Sequence, residues 1–195
     1  MVKKTAGQIE EIGGRIEQFA GREVRDRVMQ GSEKIAASAN PEKVALWVKN
    51  AMDRLDALTS PAMHDQIMLA CGYNCIAINQ RPMETARARR QKYPSEEEFL
   101  TSEVQKPPKG IRLERDGSLL IQYYTPHIYG RGMRCYCSLM RGLPEGVTAS
   151  LTYCQCSRGF VEKYWEGILG RRPVLVELEY STISGADECK FIIHL

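Results

Sequence analysis

Ile111-Arg-Leu-Glu-Arg-Asp-Gly-Ser-Leu-Leu-Ile-Gln-Tyr-Tyr124 decides the fold class of this chain. Its two short runs flank Asp116-Gly117, a pair that accepts the positive φ of a tight reversal, so the stretch reads as a β-hairpin. Further on, Pro173-Val-Leu-Val-Glu-Leu-Glu-Tyr180 and Cys189-Lys-Phe-Ile-Ile-His-Leu195 alternate as two more strands, joined through Ser184-Gly-Ala-Asp187. Val174, Val176, Leu178 and Tyr180 are expected on one face, and Cys189, Phe191, Ile193 and Leu195 on one face of the partner strand. Such connections favour an antiparallel sheet with helices packed on one side, an α+β arrangement.

Toward the N-terminus the apolar period changes from that of a strand to that of a helix. Asn40 can cap and Pro41 can open a helix to about Leu58, with Val44, Trp47, Val48, Ala51, Leu55 and Leu58 on one face. Ser60 and Pro61 repeat the device for a helix to about Asn79. Arg81 to Lys92 reads as a helix whose arginines form a solvated face. Ser95-Glu-Glu-Glu98 matches a capping box and starts a helix that ends before Pro107-Pro108. Residues 7–37 are expected to be helical on the stripe Ile9, Ile12, Ile16 and Phe19, although Gly13-Gly14 and Gly21 weaken the pattern. The expected organisation is a helical arm over 1–39, packed on the core or used for a homodimer, then a single α+β domain over 40–195. Lys106-Pro-Pro-Lys-Gly110 is its best internal boundary, between a helical and a strand-bearing half.

A chain of 195 residues with 43% hydrophobic and 26% charged residues can bury one sizeable core and is not disordered in composition. A net charge of +3 is too slight to argue for a nucleic-acid partner. No apolar run approaches the roughly 18 residues that span a bilayer, and Met1-Val-Lys-Lys-Thr leads into no signal-peptide core, so no membrane partner and a cytoplasmic location are expected.

In a reducing compartment the seven cysteines read as thiols, metal ligands or redox centres rather than as disulfides. Six of them form close pairs. Cys71 and Cys75 share a helix face with His64 and Met68, at steps of four and three residues. Cys135 and Cys137 fall in Met133–Met140, short enough to be a strand, where both thiols project to one side about 6–7 Å apart. Cys154 and Cys156 stand at the start of a helix over Ser157–Leu169, whose apolar face is Phe160, Val161, Tyr164, Trp165, Ile168 and Leu169 and which Gly170 can end. These six are the candidate metal ligands, for zinc or for an iron–sulfur cluster, each of which uses four such ligands. Cys154 or Cys156 at a helix N-terminus is alternatively a candidate nucleophile, with His64 or His127 as a base. Cys189 belongs to an apolar strand face and reads as a core residue. Tyr129, on the loop Thr125–Gly132 beside His127, and Tyr164 and Trp165 are the candidate ligand-contacting aromatics.

Gly159-Phe-Val-Glu-Lys-Tyr-Trp-Glu-Gly-Ile-Leu-Gly170, Val174-Leu-Val-Glu-Leu-Glu179 and Gly185-Ala-Asp-Glu-Cys-Lys-Phe191 resemble the end of the vinyl-reductase-type domain of hydrocarbon-binding proteins. The resemblance implies an α+β body with a pocket between helices and sheet for a small hydrophobic molecule, often reported to a regulator. Where that family commonly carries a cysteine three residues after the glutamate, this chain has Thr182. The segment before the last helix also bears a fainter likeness to amino-thiazoline-carboxylate hydrolases, in which a cysteine is thought to act in opening a sulfur-containing ring. The functional expectation is a ligand-binding or sensor protein with a cysteine-coordinated metal. The alternative is a cysteine-dependent hydrolase acting on a small C–N or C–S substrate.

Overall fold

A computed structural model describes residues 2–130, 132–170 and 174–195. Pro173, the expected first residue of a strand, and Arg131 of the glycine-containing loop lie outside the described residues. The expected helical stretch over 7–37 is three helices, α1 (Val2–Ala20), α2 (Arg22–Val28) and α3 (Ser32–Ala36). The breaks fall at Gly21 and Gly31, whose φ of 87° and 80° lie in the region that glycine enters without a Cβ penalty.

Helices α4 (Pro41–Leu58) and α5 (Pro61–Ile78) begin where the capping signals place them. The Asn40 side chain accepts from the Glu42 and Lys43 amides at 2.9 and 3.1 Å, satisfying donors that have no partner inside the helix. Ser60 does the same for Met63 at 3.4 Å. After α6 (Arg81–Arg90), the Ser95 hydroxyl accepts from the Glu98 amide and starts α7 (Glu96–Gln105).

The hairpin is present as β1 (Ile111–Asp116) and β2 (Leu119–Tyr124), with Gly117 at φ 56° in its turn. Beyond it come α8 (Gln155–Leu169), β3 (Leu175–Tyr180) and β4 (Cys189–His194). The four strands form one antiparallel sheet in the order β1-β2-β4-β3, so the last strand lies between the hairpin and β3. The fold is α+β, with the sheet in the C-terminal half.

Two details differ from the pattern in the sequence. Leu178 pairs with Phe191 but Tyr180 pairs with Lys190, so β3 carries an extra residue at Glu179. An inserted residue reverses the alternation, and Tyr180 therefore leaves the face of Val176 and Leu178 and lies beside the Lys190 ammonium instead. Second, Met133–Met140 is not a strand. The Met140 and Arg141 amides both donate to the Cys137 carbonyl, at 3.2 and 3.0 Å, and the Cys137 amide turns onto Cys135 Sγ at 3.4 Å. Those local bonds use the groups that a sheet ladder would need.

Apolar burial is divided into two clusters. In one, Ile9, Ile12 and Ile16 of α1 pack with Val44, Val48 and Leu55 of α4, Ile67 and Met68 of α5, and Leu139, Met140 and Tyr153. Residues 1–39 therefore contribute to a core through their isoleucine stripe. The other joins Phe99 and Leu100 of α7 and Val161, Trp165 and Ile168 of α8 to Leu113, Leu120, Val176, Phe191 and Ile193 of the sheet. Helix α8 spans both, because it crosses α5 closely: a Cβ on Gly72 would overlap the Cys156 carbonyl oxygen, and one on Gly159 would stand 2.6 Å from the Leu69 oxygen.

Trp165 anchors α8 to the sheet. Its indole Nε1 donates to Gln122 Oε1 at 2.9 Å between two buried side chains. Trp165→Phe removes the donor and leaves the buried amide oxygen unpaired, an expected loss of roughly 1–3 kcal/mol. Urea denaturation followed by circular dichroism measures it. Gln122→Leu added to Trp165→Phe is expected to recover part of the loss, since both polar partners are then gone.

Candidate functional site

A cavity of about 40 Å³ lies where the irregular 133–147 segment, the start of α8, the turn after β3 and strand β4 meet. Its lining includes Cys135, Cys137, Cys154 and Cys189. These four come from three places far apart in sequence, so their meeting is a product of the fold. Tyr124, Tyr136 and Phe191 form an aromatic wall, with Tyr124 edge-on to each of the other two rings at 5.4 and 5.0 Å. Arg134, Ser157 and Thr182 supply the polar part. A space of about 40 Å³ admits an ion or a small ligand of a few atoms, since one water needs roughly 10–15 Å³ of such volume.

Each thiol has an identifiable setting. Cys137 Sγ lies 3.1 Å from the Tyr153 hydroxyl, and Tyr153 is itself buried. Cys189 Sγ lies 3.6 Å from Thr182 Oγ1, whose hydroxyl donates to the Arg134 carbonyl. Thr182 thus occupies the cavity wall. All seven cysteines are free thiols.

Burial dominates their electrostatics. It pushes the Cys154 thiol up to about 12, with Cys189 and Cys137 adding to the shift and the Ser181 hydroxyl opposing it. Cys135 is raised well above its ordinary value by burial, then by Cys137 and Cys154. Cys189 is raised by burial, against hydrogen bonding from Thr182. Cys156 stands within electrostatic reach of Cys137, Cys154, Cys71 and Cys135, and burial first and these neighbours next raise it well above the ordinary thiol range. Cys156 therefore links the cavity to the α5 pair.

That pair does not line the cavity. Cys71 and Cys75 are on one face of α5, as their spacing predicts, but Cys71 lies beneath α1 near Glu11 and Arg15. Burial, then Glu11, pushes Cys71 up to about 12. Neither candidate base is among the lining residues. His64 Nδ1 stands 3.2 Å from Asp56 and Nε2 3.9 Å from Asp65, and His127 is exposed. The candidate aromatics are also elsewhere. Trp165 is held in the second core, Tyr164 lies beside Arg89 and Glu103, and Tyr129 is 48% exposed with its hydroxyl donating to the Lys109 carbonyl at 2.8 Å. Sequence reasoning missed Arg134, Thr182, Tyr124 and Tyr136 and placed Cys189 in the core; the Thr182 departure in the resembled motif was the one available signal.

Among the described residues, no three His, Cys, Asp or Glu side chains are already drawn together as metal ligands. A protonated, buried thiol is a weak nucleophile, because the thiolate is the reactive form. The raised values also set a pH dependence. With Cys71 and Cys154 at about 12 against an ordinary 9.0, the folded chain keeps protons that the unfolded chain loses, so stability is full below 9.0 and falls as pH rises toward about 12. Urea midpoints at neutral pH and above 9.0 measure that fall; replacing Cys71 and Cys154 with alanine is expected to reduce it, with the raised Cys135, Cys156 and Cys189 supplying the remainder.

Among the described residues, no helix is long and apolar enough to cross a membrane. The chain matches no family model and no curated protein sequence.

Proposed function

We propose that the protein is a small-ligand-binding or sensor protein whose site is the thiol-lined cavity, and that its cysteines close on a soft metal ion, zinc in the first instance. The observation that carries this reading is the meeting of Cys135, Cys137, Cys154 and Cys189 in one cavity of about 40 Å³. Soft thiolate ligands select ions of this kind, and four is the number that a zinc site uses. The small volume favours a single ion over an iron–sulfur cluster. Closing on an ion requires the cysteine side chains to rotate about χ1 and give up protons, and the irregular 133–147 segment can adjust with them.

The ion would polarise a small ligand and shape the apolar wall of Tyr124, Tyr136 and Phe191 on which the ligand rests. This is the place, between helix and sheet, where the resemblance to hydrocarbon-binding proteins implies a pocket. The reading is tested by titrating anaerobic, fully reduced protein with Cd²⁺ and following sulfur-to-metal charge-transfer absorbance. Uptake of about one ion per chain, lost in Cys154→Ala and Cys189→Ala but kept in Cys75→Ala, is expected. Folded protein that takes up no ion would sink the reading.

A further inference from the structure

His64 stands between two carboxylates where α4 and α5 meet. Its Nδ1 lies 3.2 Å from Oδ1 of Asp56, near the end of α4, and its Nε2 lies 3.9 Å from Oδ1 of Asp65, its neighbour on α5. The other oxygen of Asp65 faces Arg158 Nη1 of α8 at 3.7 Å. Only 13% of the His64 side chain is exposed. Asp56 Oδ1 and His64 Nδ1 are both buried, and among the described residues neither closes a hydrogen bond of good geometry. Buried polar atoms in that condition are rare, and here two of them face each other.

The protons of the ring decide what this arrangement can do. A neutral imidazole carries one N–H, so whichever nitrogen lacks it turns a lone pair toward a carboxylate, whereas the imidazolium presents a donor on both sides. Charge points the same way. Asp56 of α4, Asp65 of α5 and Arg158 of α8 are the charged groups that the surrounding helices bring to this junction. Arg158 matches Asp65, which leaves Asp56 as the carboxylate without a cation unless His64 is charged. A protonated ring brings the group to neutrality in a place where solvent screens it only in part.

We propose that His64 is a proton-responsive tie between α4 and α5, which holds Asp56 and Asp65 together as the imidazolium and loosens α4 from α5 when it gives up a proton. The tie is complete while the ring is protonated and weakens as pH rises through the range of about 5 to 8 in which histidine changes charge. Helices α4 and α5 share one core with Leu139 and Met140, so the device acts on the half of the molecule that α1 also completes. It stands whether or not the thiol-lined cavity takes a metal ion.

The test compares urea midpoints of the full, reduced chain and of His64→Gln between about pH 5 and about pH 8. Taking the difference between the two proteins cancels the titration of His127, of the His194–Glu177 pair and of the other carboxylates. The native chain is expected to exceed His64→Gln most in acid, with the excess shrinking as pH rises, and Asp56→Asn is expected to remove the same pH-dependent part. An excess that does not change with pH would overturn the proposal, as would a folded Asp56→Asn protein that keeps the whole dependence. If neither variant folds, nuclear magnetic resonance of the native chain decides. Amide signals of α4 around Asp56 are expected to move with the same midpoint as the His64 ring, and a ring that titrates while those signals stay still would overturn the tie.

Discussion

Gly72→Ala is expected to destabilise the protein by roughly 3 kcal/mol or more, the upper range for forcing a methyl group into a packed site. The neighbour in the way is backbone. A Cβ at Gly72 would overlap the Cys156 carbonyl oxygen and lie 2.9 Å from the Phe160 nitrogen, and neither atom can move without shifting α8. Gly14→Ala is the matched control. It is the same change at an exposed position of α1 with no atom within 4 Å of the new methyl, and it is expected to stabilise by about 0.5–1 kcal/mol. Urea unfolding of the two variants measures both. Equal midpoints would mean that α5 and α8 do not approach as closely as described, and the start of α8, which carries Cys154 and Cys156, would lose its fixed position.

The second large effect is on the loaded protein. An ion that binds the folded cavity and not the unfolded chain stabilises by mass action, about 4 kcal/mol at a free concentration about a thousandfold above its Kd. Thermal unfolding with buffered Zn²⁺ is expected to show the midpoint rising with free ion, and the rise is expected to vanish in Cys154→Ala. A midpoint that ignores zinc would count against the site. Alkylation separates this reading from a cysteine nucleophile. Native Cys154, buried and held near 12, is expected to label far more slowly at neutral pH than it does in unfolded protein. Fast, selective labelling of Cys154 or Cys156 would favour the hydrolase.

Much of the fold was legible because its signals are local. Asn40-Pro41, Ser60-Pro61 and Ser95 mark helix starts by chemistry that acts within four residues, and Asp116-Gly117 marks its own turn. The irregular segment was illegible for the complementary reason. Alternation in Met133–Met140 has the period of a strand, yet a strand also needs a partner edge, and the Cys137 carbonyl is already bonded within its own turn. The reversal at Tyr180 depends on how β3 pairs with β4, which no spacing within β3 encodes.

The site was legible in part. Cysteine pairs point to Cys135, Cys137 and Cys154, which the fold brings together, and to Cys71 and Cys75, which it leaves outside the cavity, with Cys71 beside Glu11 and Arg15 of α1. Cys189 was hidden in an apolar alternation because the inner face of β4 is both core and cavity wall. Arg134 gave no signal at all. Its partners are carbonyl oxygens of Pro144, Val147 and Thr182, and any residue type can supply those.

X-ray absorption at the zinc edge of protein loaded with about one ion per chain tests the central claim most directly. A first shell dominated by sulfur at about 2.3 Å, diminished in Cys135→Ala, Cys154→Ala and Cys189→Ala, is the result predicted. A shell of nitrogen and oxygen alone at about 2.0–2.1 Å would place the ion away from the thiols and contradict the account.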